Sequence, residues 1–115
     1  MNNKKKMESM NKHATLDLYY TLLESNDLLE EEKKTIFRKH NNIFIQIGST
    51  IIHFHIYSTS IFQEPTLNII MLDPLTLTPI HTYNPTLYKF KMIYSMTSYD
   101  FQKIILEIPK LRNLP

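Results

Sequence analysis

The sequence His53-Phe54-His55 sets two imidazoles two residues apart, the spacing that puts two metal ligands on one face of a β-strand. His81, in a proline-rich stretch, could supply a third ligand. The competing reading is a half-exposed sheet surface, with His53 and His55 beside Ile51 and Tyr57 and turned away from Ile52, Phe54 and Ile56. No further His or acidic motif accompanies the pair, which favours the surface reading over the metal site. With no cysteine among its 115 residues, the chain has no disulfide, no thiolate nucleophile and no cysteine-based metal site. Its single glycine, Gly48, excludes a G-x-S-x-G nucleophile elbow, a phosphate loop and a dinucleotide fingerprint. Beyond residue 32 the carboxylates are Glu64, Asp73, Asp100 and Glu107, too scattered to suggest a general acid/base pair. The expectation is a chain that is not an enzyme and carries no cofactor.

Tyr88, Lys89, Phe90, Lys91 and Tyr94 interleave aromatics with cations, a pattern seen where a sheet stacks single-stranded RNA bases and follows the phosphates. Strand alternation nevertheless sends Lys89 and Lys91 to the face opposite the aromatics, which then read as core. Lys4, Lys5 and Lys6 form a second basic group, suited to a membrane or nucleic-acid contact, or simply to a solvated tail. The net charge of +2 is small for a dedicated nucleic-acid surface. Lys4, Lys5, Lys6, Lys89 and Lys91 are therefore the candidate interaction residues. RNA binding is the first alternative function, and metal binding by His53, His55 and His81 the second.

The elements that must position these residues follow from periodicity. Residues 1–12 are polar and without an apolar period, as in a disordered basic arm, which leaves 13–115 as one domain. Leu16, Leu18, Tyr19, Leu22 and Leu23 lie on one stripe of a helix running from Ala14 to about Ser25. Asp27 and Glu30 suggest a capping box for a second helix, from Leu28 to about His40, with a thin apolar stripe. Strand alternation begins at Ile43. Gly48 can take the positive φ that a two-residue II′ turn needs at its first position, so Ile47 pairs with Thr50, Ile45 with Ile52 and Ile43 with Phe54. A third strand spans Thr66 to Leu72 and stops at Asp73-Pro74. After a loop over 73–86 containing Pro74, Pro79 and Pro85, a fourth strand covers Leu87 to Met96. Thr97 or Ser98 caps a last helix whose stripe is Phe101, Ile104, Ile105 and Ile108, ending before Pro109. The order predicts an α+β two-layer sandwich: a mainly antiparallel four-stranded sheet with N-terminal helices and a C-terminal amphipathic helix.

Apolar runs are a few residues long, far short of the ~20 needed to span a bilayer, and no apolar stretch follows Lys4-Lys6 as in a secretory leader. The residue choice itself is biased. Valine and tryptophan are absent, alanine and glycine occur once each, and all four have G-containing codons. A G-poor coding strand is usual in negative-strand RNA viruses and in some AT-rich bacteria and phages.

Residues 87–100, LYKFKMIYSMTSYD, resemble a segment of the matrix proteins of vesicular-stomatitis-type rhabdoviruses, with Leu87, Tyr88, Lys89, Met96, Thr97, Tyr99 and Asp100 in matching positions. A lysine-bearing N-terminal arm before an α+β globule is similar in outline. The family's Pro-Pro-x-Tyr budding motif is absent from the arm, and the chain is much shorter than those proteins, so budding is not implied. What the resemblance implies is a small viral accessory or matrix-like protein. It would act through contacts with viral or host proteins, in virion assembly or host-factor modulation, in the host cytoplasm or with the virion.

Overall fold

The structure is a computed structural model describing residues 2–79, 94–95 and 104–113. It is an α+β fold in which a long N-terminal helix and a short C-terminal helical segment cover one face of an antiparallel sheet. Helix α1 spans Asn3–Glu24, α2 spans Glu30–Lys33, and the strands are β1 Phe37–Lys39, β2 Asn42–Ile47, β3 Thr50–Tyr57, β4 Thr66–Leu72 and β5 Tyr94–Ser95. The strands lie in chain order, each pairing antiparallel with the next. Residues 104–107 are helical, and a 3₁₀ turn, Ile108–Leu111, follows.

The β2–β3 hairpin has the expected turn and register. Ile47 opposes Thr50, Ile45 opposes Ile52 and Ile43 opposes Phe54. Gly48 has φ +58 and Ser49 does not share the left-handed region, as a II′ turn requires. Strand β4 occupies the predicted residues, and Asp73 ends it by turning the chain, its Oδ1 accepting from the N–H groups of Leu75 and Thr76 at 2.8 and 3.2 Å. Alternation then sorts the sheet into two faces. Ile43, Ile45, Ile47, Ile52, Phe54, Ile56, Leu67, Ile69 and Met71 are buried against Leu18 and Leu22 of α1 and against Ile104, Ile108 and Leu111. At roughly 1.5–3 kcal/mol for each such side chain, this face supplies most of the driving force for folding.

Two expectations are corrected. Residues 3–12 do not form a disordered arm but belong to α1, which starts eleven residues before Ala14. Asn2 caps it, its Oδ1 accepting from the Lys5 N–H at 2.9 Å. Lys, Met and Glu are good helix formers, and extending a helix already nucleated on the core adds one hydrogen bond for each residue fixed. The second helix is also far shorter than 28–40. It is capped not by Asp27 but at Leu29, whose N–H donates to Glu32 Oε1 at 2.8 Å. Residues 37–39, placed in that helix by their sequence, instead form β1. They pair with β2 through a two-residue turn at His40-Asn41, where His40 takes φ +54. Pairing with an existing sheet edge overrides the weak helical preference of Phe37-Arg38-Lys39. The last α-helix ends at residue 107, before Pro109 as expected, and Pro109 sits in the first turn of the 3₁₀ segment that follows, where a missing N–H costs nothing. Ile104, Ile105 and Ile108 are buried as the stripe predicts, while Phe101 and its cap lie outside the described residues.

A polar latch closes the C-terminal segment over the hairpin. Arg112 grips Glu32 with two hydrogen bonds, Nε to Oε2 at 2.8 Å and Nη2 to Oε1 at 2.7 Å, and Glu32 is only 6% exposed. Hydrogen bonding from Arg112 holds the Glu32 carboxyl below the ordinary value against the opposing effect of burial, with help from the Leu29 N–H. The same pair raises Arg112. This latch presses the chain onto Gly48, where a Cβ would lie 2.7 Å from the Arg112 carbonyl oxygen. The only glycine is thus required twice, for its positive φ and for the backbone that crosses it.

Candidate functional site: the open face of the sheet

The face opposite the isoleucines carries the chemistry. Register sets Phe37, Phe44, His53 and Ile70 in one row across β1 to β4, and Lys39, Asn42, His55 and Asn68 in the next. Tyr57 and Thr66 continue it. Among the described elements, the helices pack on the other side, and the side chains of these two rows are half-buried or exposed. Phe37 is 57% exposed.

The rings form a continuous chain of contacts. The Phe44 ring stacks on His53 with centroids 4.4 Å apart and planes 14° from parallel. Tyr57 stacks on His55 at 5.7 Å and 21°, and Phe37 lies 6.3 Å from Phe44. Between the two imidazoles sits Asn42. Its Oδ1 is 2.9 Å from His53 Nε2 and 2.9 Å from His55 Nδ1. With the amide oriented this way, both ring nitrogens donate to a single carbonyl oxygen, which fixes the tautomer of each neutral ring. Burial, followed by the neighbouring His55, holds His53 below the usual imidazole value.

The predicted site residues are thus only partly brought together. His53 and His55 share the expected face, half-buried, while His81 lies outside the described residues. Among the described residues no group of three His, Cys, Asp or Glu side chains converges as a metal site. Lys4, Lys5 and Lys6 are exposed on the first turn of α1, remote in sequence from the histidine face, and Lys89 and Lys91 lie outside the described residues together with Tyr88 and Phe90. No described helix is long and apolar enough to cross a membrane.

Alternation along the strand already sets Phe44 on the face opposite Ile43, Ile45 and Ile47, but the sequence reading missed Asn42 and Phe37 as members of that face. Asn42 follows from the hairpin register: if Ile43 opposes Phe54, then Asn42 opposes His55 and Phe44 opposes His53. Phe37 was hidden by its assignment to a helix. Comparison of the chain with protein-family models, curated proteins and solved structures finds no match.

Proposed function

We propose that this chain is a non-enzymatic interaction module that binds a partner protein through the open face of its sheet. The supporting observation is the contiguous row of Phe37, Phe44, His53, His55 and Tyr57, held in ring-to-ring contact on a face that no described element covers. Aromatic rings on a rigid sheet present large contact area with little side-chain entropy to lose, which is the composition of an interface centre. Four strands at about 4.8 Å spacing and some six residues of length make a patch roughly 20 Å on a side, or about 400 Å². That is the central half of a standard interface of about 800 Å² per partner, so surrounding side chains must supply the rim.

A protein partner suits this face better than single-stranded RNA. Lys39 is the one lysine or arginine among the described open-face positions, too little charge to track a phosphate backbone. A role as a small viral accessory protein, in the host cytoplasm, is part of the same proposal. It is supported by the G-poor residue choice and by the 87–100 segment.

Affinity capture from host cells with the native chain, a Phe44→Ser/Tyr57→Ser variant and a control changed at exposed Lys34 tests the reading. A protein retained by the native chain and the Lys34 control but lost by the open-face variant is the expected result. Equal capture by all three contradicts it.

A further inference from the structure

We propose that Asn42, His53 and His55 form a binding site for one divalent late transition-metal ion, such as Cu²⁺ or Zn²⁺. Two imidazole nitrogens, His53 Nε2 and His55 Nδ1, each lie 2.9 Å from the same atom, Asn42 Oδ1. Both imidazole nitrogens therefore converge on one amide oxygen on the half-buried open face of the sheet. Imidazole nitrogen is the donor that copper, nickel and zinc share as a preferred ligand, and an amide oxygen is an acceptable third. An ion about 2.1 Å from each ring nitrogen takes over the role now played by the two N–H groups, which must be lost as protons or moved to the other ring nitrogen.

The surroundings orient the ligands before any ion arrives. Phe44 is stacked on His53 and Tyr57 on His55, so each imidazole rests against an aromatic ring while its nitrogen contacts Asn42. Preset ligand orientation of this kind usually comes from hydrogen bonds, and here stacking does the same work. Cross-strand pairing fixes the third ligand, because Asn42 is directly opposite His55 in the β2–β3 ladder. Two nitrogens and one oxygen leave at least one coordination position free, directed to the open face, for water or a ligand from outside. The site adds to the interaction role and does not depend on it.

The test is titration of the full chain with Cu²⁺ and with Zn²⁺ in chelator-free buffer at neutral pH, read by calorimetry and by NMR of the histidine ring protons. One ion per chain is expected, copper binding more tightly than zinc. His53→Ala and His55→Ala should each weaken binding about tenfold or more, and His13→Ala should leave it unchanged. Asn42→Asp should tighten it by adding a negative ligand. Should the alanine variants fail to fold, the native chain decides the matter. Paramagnetic Cu²⁺ at substoichiometric amounts then broadens the His53 and His55 ring signals first. Absence of a saturable site, or broadening centred on other histidines, overturns the proposal.

Discussion

Replacing Gly48 with alanine should destabilise the protein far more than a surface glycine normally would, for two separable reasons. Gly48 sits at φ +58, a conformation costing an L-residue roughly 1–2 kcal/mol. The added Cβ would also stand 2.7 Å from the Arg112 carbonyl oxygen and 3.3 Å from its carbon, so the C-terminal backbone has to move away. That backbone is tied down by buried Leu111 and by the two hydrogen bonds from Arg112 to Glu32. Loosening those charge-assisted bonds costs a further ~1.5–3 kcal/mol. Together the loss is about 2.5–5 kcal/mol, or roughly 10–20 °C in melting temperature for a domain of this size. Urea and thermal unfolding followed by circular dichroism measure it. Repeating Gly48→Ala in a chain lacking residues 112–115 removes the clash and leaves only the backbone cost of about 1–2 kcal/mol. If Gly48→Ala costs under about 1 kcal/mol in the full chain, or the same in both backgrounds, the close approach of Arg112 to the turn is refuted.

Arg112→Ala should cost about 2–3 kcal/mol by leaving the nearly buried Glu32 carboxylate without its partner, and adding Glu32→Gln should restore part of that loss in a double-mutant cycle. Glu32 also sets an acid limb. Its folded value lies below the ordinary 4.5, so its contribution is complete above that pH and disappears as pH falls through the lowered folded value. Stability measured down to about pH 3 should therefore fall less steeply in Arg112→Ala than in the native chain. Phe54→Ala, at a site with 0% exposure, should lose about 3–5 kcal/mol, whereas Phe44→Ala on the opposite face should lose about 1 kcal/mol. Equal losses at the two positions would contradict the division of the sheet into core and open faces.

Where local chemistry and long-range packing agree, the sequence is readable. The Gly48 turn, the isoleucine alternation around it and the stop at Asp73-Pro74 each have one physical solution, and the fold adopts them. The buried Ile104, Ile105 and Ile108 follow equally from helical spacing. Residues 28–40 behave differently because two preferences compete. Glu30-Glu31-Glu32-Lys33 is helical on its own terms, but Phe37-Arg38-Lys39 is too short to show a period and is decided by the free edge of β2. The turn does hold an asparagine, Asn41, but the positive φ falls one residue earlier, on His40, a residue type that does not announce it. The α1 extension escaped notice for a related reason: its residues bury little, so no apolar stripe marks a helix sustained by propagation from Leu18 and Leu22. At the open face, His53 and His55 were legible as a pair, and the atom that joins them, Asn42 Oδ1, was already implied by the register.

Site-specific photocrosslinking tests the interaction role most directly. A photoreactive residue in place of Phe37, at the exposed end of the aromatic row, is compared in host-cell extract with the same residue in place of Leu106, on the exposed side of the C-terminal helical segment. A discrete adduct with one protein at position 37, suppressed by Phe44→Ser and absent at position 106, is the predicted result. Adducts that form equally at both positions, or that persist in the Phe44→Ser background, would show that the open face is not where a partner binds.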